Sequence, residues 1–167
     1  LRGVPSVVLR EKRAEMAYIG SHVKAPRDYF MKELKEILPL NAFGLEGKGP
    51  AQERDGRTKQ ELLSESRYSF CPENTLYPGY VSEKIVETFA SQSVPVGWYW
   101  NELNGDFQNN SHLNLENFVR NHGFNEWKTP FLENLKRMEK NGLEPLLGCK
   151  PSIEPIIEHL KKVKMAC

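Results

Sequence analysis

The chain has little of what would assign a protein at first sight. Cysteine is scarce: Cys71, Cys149 and Cys167 are far apart and form no CxxC pair, which excludes a disulfide framework or a zinc knuckle as the organising element. Few, unpaired cysteines fit a reducing setting, and Cys71, directly after Phe70, reads as a small buried hydrophobe. Of the four histidines, His112, His122 and His159 have no partners at metal-ligand spacing, and no Asp-x-Asp motif is present, so neither a metal site nor a cofactor is expected. No nucleophile elbow and no paired Ser-His-Asp or Cys-His arrangement can be read. Charge of one sign is not in excess: 23 Lys and Arg against 22 Asp and Glu leave a net charge of +1. With no basic patch interleaved with aromatics, a nucleic-acid partner is excluded; the short mixed run REKRAE at 10–15 reads as a solvated connection. There is no long apolar run, no internal repeat and no low-complexity stretch.

What is present suffices for one well-buried domain. At 167 residues with 39% hydrophobic residues, the chain can bury one core but not two full domains. Residues 68–96, YSFCPENTLYPGYVSEKIVETFASQSVPV, carry the clearest organisation. Val81, Ile85 and Phe89 recur at four-residue spacing, with Val86 and Ala90 widening the stripe, so a helix packs one face on a sheet. SVPVGW after it is short, β-branched and apolar, as a buried parallel strand is. The unit is strand, crossover helix, strand, and its crossover is expected to be right-handed.

Upstream, 14–21 is a candidate strand, and Pro26 occupies a first helical position, with Phe30, Leu34 and Ile37 as that helix's stripe. Residues 40–44 form a candidate second strand, 45–58 a loop, and 59–66 a short helix. Downstream, NELNGDFQNN is loop, 112–115 a weak strand, and 129–141 a helix with Phe131, Leu135 and Met138 inward. After the Pro/Gly stretch GLEPLLGCKP comes a last helix striped by Ile153, Ile156, Ile157, Leu160 and Val163.

Two cations occupy places that a helix disfavours. Lys84 stands in or near the first turn of the central helix and Arg27 at the start of the upstream one, where each opposes the macrodipole. An isolated Glu83-Lys84 pair is ordinarily a solvated surface pair. Two cations at two strand-to-helix joints are different: a diphosphate held between them accounts for both, since helix N-termini and the carboxyl ends of parallel strands are where anions bind. His22, beside the first joint, is within reach of the same phosphate.

These residues resemble the α1,3/α1,4-fucosyltransferases that use GDP-fucose. The resemblance is carried by CPENT at 71–75, GYVSEKI at 79–85, VPV at 94–96 and KAPRDYFMKEL at 24–34, and extends over roughly residues 14 to 120, fading after Phe118. It implies a Rossmann-like three-layer α/β/α domain with a mostly parallel sheet, the donor-binding half of a GT-B glycosyltransferase. The expected organisation is an interdomain connection at 1–13, the nucleotide-sugar domain at 14–150 and a C-terminal helix at 151–167. The resemblance further implies that Arg27 and Lys84 neutralise the diphosphate, that Glu83 accepts hydrogen bonds from ribose hydroxyls, and that Asn74 and Tyr80 contact the donor. Glu73, His22 and Tyr99 are further candidates. The partners implied are GDP-fucose, a glycan acceptor and an N-terminal acceptor domain absent from this chain, which would also hold the general base. Membrane association is left open. Location follows the source: cytoplasmic or peripheral to the inner membrane for a bacterial protein, Golgi for a eukaryotic one.

Two departures bear on the donor. Pro72 stands where the family usually has Phe, and Gly97-Trp98-Tyr99 replaces a Tyr-Trp-Gly. A tyrosine at a strand end where glycine is usual is expected to narrow the cleft, alter the turn or shift a ligand contact, unless Gly97 does the glycine's job. Two alternatives therefore stand beside a GDP-fucose enzyme: a non-catalytic nucleotide-sugar-binding module, and a transferase with a different nucleotide-sugar donor.

Overall fold

The computed structural model describes residues 13–20, 24–44, 57–100 and 111–140. Apart from Arg13, the connection expected at 1–13 lies outside them, as do His22, most of the 45–58 loop, the 101–110 loop and the C-terminal helix. Five parallel strands make one sheet: β1 (Arg13–Ile19), β2 (Leu40–Phe43), β3 (Ser66–Phe70), β4 (Val94–Gly97) and β5 (Leu113–Asn114), in the order β2-β1-β3-β4-β5. The register places Tyr18 beside Ala42 and Phe70, and Phe70 beside Val96.

The helices follow the strands. α1 (Arg27–Lys35) joins β1 to β2, α2 (Lys59–Glu65) joins β2 to β3, and α3 (Glu83–Ala90) joins β3 to β4; α4 (Leu115–His122) and α5 (Lys128–Lys140) come after β5. Alternation along the strands sorts the side chains between two faces. Met16, Tyr18, Tyr68, Phe70, Val94 and Val96 pack with Phe30, Met31 and Leu34 of α1, Leu115 of α4, and Phe131 and Leu135 of α5. On the opposite face Ala17 and Phe43 meet Leu62 and Leu63 of α2, while Cys71 and Tyr99 meet Ile85 and Phe89 of α3. The result is three layers, α/β/α.

The chain runs from β1 outward to β2, then crosses back over β1 to lay down β3, β4 and β5. Right-handed crossovers then require α1 on one face and α2 and α3 on the other, as found. Between β1 and β3 the chain's direction of progress reverses, and helices leave the two strand ends toward opposite faces. A crevice opens at such a switch point.

Local chemistry fixes the boundaries. Thr58 caps α2 through a reciprocal pair with Glu61, the capping box. Gly44, at φ 77°, follows the last residue of β2. Pro26 is the cap position of α1 and Arg27 its first helical residue, one place later than the sequence suggests. Thr88, not Ala90, completes the buried stripe of α3; its hydroxyl donates to the Lys84 carbonyl at 2.8 Å, which satisfies it inside. The strand expected at 112–115 shrinks to Leu113–Asn114, because the Asn114 side chain accepts the Glu116 N–H at 3.1 Å and starts α4 there. That helix was legible as Leu115, Phe118 and Val119 at helical spacing. Among the described residues, no helix is long and apolar enough to cross a membrane.

Candidate functional site

At the carboxyl ends of β1 and β3 lies a cavity of about 470 Å³. Its floor is the strand ends, Ile19 and Gly20 from β1 and Ser69, Phe70 and Cys71 from β3; its walls come from the segment entering α1, the start of α2, and the first turns of α3. Four basic side chains line it among the described residues: Lys24, Arg27, Lys59 and Lys84. Glu73 and Glu87 offset part of the charge of Lys84 and Lys59, and a cleft lined by cations focuses a field that draws in polyanions.

Of the residues singled out in the sequence, Arg27, Asn74, Glu83 and Lys84 come together on this cavity. The Arg27 guanidinium Nη2 donates to Asn74 Oδ1, linking α1 to the loop that leaves β3 across 47 residues of sequence. Glu83 is the first residue of α3, with Ser82 at the cap position. Tyr80 is not among the lining residues: it is 37% exposed on the β3–α3 loop, its N–H donating to the Tyr77 carbonyl in a turn at 3.0 Å. Gly79, at φ 73°, gives that turn its left-handed backbone.

Glu73 does not face the cavity. Its side chain is wholly buried beneath the start of α3, where it accepts from the Ser82 N–H at 2.7 Å, the Ser82 hydroxyl at 2.8 Å and the Lys84 ammonium at 3.1 Å. Tyr99 is also placed away from the cavity. Its ring is buried with Cys71, Ile85 and Phe89, and a Cβ on Gly97 would lie 2.2 Å from Tyr99 Cε1. The Gly97-Trp98-Tyr99 order is thus a packing pair: the tyrosine ring fills the space that a side chain at 97 would need. Burial drives the Tyr99 phenol well above its usual pKa, and the neighbouring Cys71 adds to the shift. Cys71 is likewise pushed up to about 12, by burial, with a hydrogen bond involving Thr88 acting against it; a thiol held protonated is no nucleophile.

Lys24 and Lys59 were not singled out in the sequence. The signal for Lys59 is the one that marks Lys84, a cation on the first turn of a helix behind a Thr or Ser cap; the sequence places that helix's start correctly at residue 59, but the rule applied to Arg27 and Lys84 was not carried to it. Lys59 also pairs with Glu87 of α3, tying two walls of the cleft together. No group of three or more His, Cys, Asp or Glu side chains with metal-binding geometry occurs among the described residues.

A doubly wound parallel sheet with a basic cleft at its switch point defines a domain of the nucleotide-binding α/β class. Within that class, residues 9–141 match the C-terminal region of glycosyltransferase family 10 (fucosyltransferase), and the chain belongs to that family. The match runs past Phe118, where the sequence resemblance fades, through α4 and α5, whose apolar faces close the same core as the strands.

An alpha-(1,3)-fucosyltransferase FucT of Helicobacter pylori is 32% identical over 111 residues, spanning 64% of this chain and 22% of that protein. Crystal structures of an alpha1,3-fucosyltransferase are similar as well. The one with GDP-fucose has a TM-score of 0.64 at 25% identity, over 81% of this chain and 38% of that one. The one with GDP has a TM-score of 0.63 at 26% identity over the same shares. The chain thus spans well under half the length of these relatives.

Proposed function

We propose that this chain is the donor-binding domain of a fucosyltransferase, holding GDP-fucose in the β1/β3 cleft for inverting transfer to a glycan acceptor. The observation that carries this reading is the set of cations on one cavity at the switch point, in a chain of this family whose structural relative is a complex with GDP-fucose.

The chemistry follows from the charge. The acceptor oxygen forms a bond to the sugar's anomeric carbon as the bond from that carbon to the β-phosphate oxygen breaks. The electron pair leaves on GDP, so negative charge grows on the diphosphate. Arg27 and Lys84 lie on the cavity where that charge develops, and preorganised cations favour the transition state over the ground state. Arg27 adds geometric specificity through its planar fork, already oriented by Asn74. Glu83, at the mouth of α3, is suited to accept from ribose hydroxyls. The acceptor hydroxyl's proton passes to a carboxylate that the family resemblance puts outside this chain.

Calorimetric titration of GDP into the wild type, Arg27→Ala and Lys84→Ala tests the reading. Loss of a hydrogen bond to a charged group costs about 1.5–3 kcal/mol, so each variant should bind GDP roughly tenfold or more weakly. Unchanged affinity in both variants would remove the diphosphate from this cleft.

A further inference from the structure

We infer that Glu73 is a positioning residue for Lys84, an inference that rests on reading the cleft as the diphosphate site. Glu73 touches nothing in the cavity, yet both its oxygens are committed to the segment that delivers the lysine. Oε1 accepts from the Ser82 N–H at 2.7 Å and lies 2.8 Å from the Ser82 hydroxyl; Oε2 lies 2.8 Å from that same hydroxyl and accepts from Lys84 Nζ at 3.1 Å. Lys84 Nζ also donates to Ser82 Oγ at 3.0 Å. The serine hydroxyl therefore accepts from the ammonium and donates its one proton to the carboxylate, closing a three-residue network. The Glu73 N–H donates to the Trp98 carbonyl at 2.9 Å, which fixes the carboxylate's own backbone to the end of β4.

This network answers two questions that α3 raises. A lysine in a helix's first turn is held against the macrodipole. With no ligand bound, the opposite charge it needs is the Glu73 carboxylate, wholly buried where the lysine is 24% exposed. Buried, that carboxylate needs the lysine in turn, since an unpaired charge in the interior is costly. The second question is the cap. A serine at the cap position ordinarily accepts from a first-turn N–H, but Ser82 makes no such bond. Its hydroxyl is spent on Glu73 and Lys84, so the cap does not occupy the first-turn N–H groups of α3. Glu73 thereby holds the ammonium in place on the cavity wall before any ligand arrives. The gain is preorganisation rather than added positive potential, because the carboxylate offsets part of the lysine's charge.

The test has a ligand-free arm and a ligand arm. Without nucleotide, acetylation of individual lysines by limiting acetic anhydride is followed by mass spectrometry in wild type and Glu73→Gln. Lys84 is expected to label several-fold faster in the variant, with Lys24 unchanged; equal Lys84 labelling in the two proteins would overturn the positioning role whatever the cleft binds. With GDP, a double-mutant cycle isolates the coupling. Glu73→Gln should weaken GDP binding roughly tenfold when Lys84 is present and less than twofold in the Lys84→Ala background, a dependence that general loosening of the fold does not produce. Equal losses in both backgrounds would overturn the inference. If Glu73→Gln fails to fold, Ser82→Ala, which removes the bridging hydroxyl and keeps the carboxylate, takes its place in both arms with the same expected directions. A wild type that ignores GDP would fail the functional reading alone, and the labelling arm would still decide the role of Glu73.

Discussion

On one face of the sheet α1, α4 and α5 bury an aromatic mass: Phe30 lies 4.8 Å from Trp98 and 5.5 Å from Trp127, and Trp127 lies 5.6 Å from Phe131, ring centre to ring centre. On the other, α2 and α3 bury two smaller clusters built from Cys71, Ile85, Phe89 and Tyr99, and from Ala17, Phe43, Leu62 and Leu63. The basic cleft opens where these thinner clusters end, and Ser69, Thr88, Lys59 and Lys84 take the places that apolar residues fill elsewhere. Stability rests on the aromatic face, while recognition sits at the strand ends between the faces, where Lys24 and Arg27 arrive from the α1 side and Lys59 and Lys84 from α2 and α3. The aromatic side fixes the strands, and the strand ends can then carry polar side chains that contribute little to packing.

The division is broken most severely by removing an aromatic anchor. Trp127 is fully buried and its indole N–H donates to Tyr29 Oη at 3.1 Å, with that hydroxyl donating on to the Phe124 carbonyl at 2.6 Å. Trp127→Ala should cost about 3–5 kcal/mol of stability, seen as a large fall in the urea midpoint. Arg27→Ala, at the cleft, should leave that midpoint nearly unchanged while weakening GDP binding. Equal destabilisation by the two would mean that core and cleft are not divided in this way.

A second effect comes from His112, buried at the seam beside Tyr99, with its Nδ1 3.2 Å from the Ser111 hydroxyl. Burial lowers its pKa from 6.5 to about 4. The unfolded chain therefore binds a proton between these values that the folded one does not, so this residue's contribution is constant above about pH 6.5 and declines as pH falls toward 4. The full loss is on the order of 3 kcal/mol by linkage. Urea midpoints from pH 7 to 4.5 should fall more steeply for wild type than for His112→Gln; parallel curves would place the imidazole in contact with water.

The smallest effect sharpens the comparison on the cleft side. The Tyr99 hydroxyl is buried without a hydrogen-bond partner among the described residues. Tyr99→Phe should stabilise the domain by about 1 kcal/mol, since a buried unsatisfied hydroxyl costs roughly that much or more, and should leave GDP affinity unaltered. A weaker GDP complex in Tyr99→Phe would bring the phenol back to the ligand.

Periodicity was enough for the elements that pack. Ile85 and Phe89, Phe30 and Leu34, Phe131 and Leu135 are all buried where their spacing put them, because a helix against a sheet must bury a stripe of period 3.6. It failed at short elements whose ends are set by single side chains. Asn114 stops β5 and starts α4 with one hydrogen bond, and no window of hydrophobicity registers that. At the cleft, helix starts with an out-of-place cation exposed Arg27 and Lys84, while Lys59 satisfied the same rule at the correctly placed start of α2 and was passed over because no family motif covers it.

The strand–helix alternation, the parallel sheet and the identity of two cations that oppose their helices can be read from the residues alone, because these depend on local spacing and local dipoles. Where they meet depends on how the strands are ordered in space. The reversal between β1 and β3 brings Arg27 to Asn74 and sets Lys24 and Lys59 on the same cavity as Lys84; strand order is a long-range choice that no local window contains. It also separated two residues that look alike in a motif. Glu73 and Glu83 are both acidic and ten positions apart, but the end of β3 buries the first behind Lys84 while the start of α3 turns the second toward the cleft. Which side of a backbone faces water is settled by what packs against the other side.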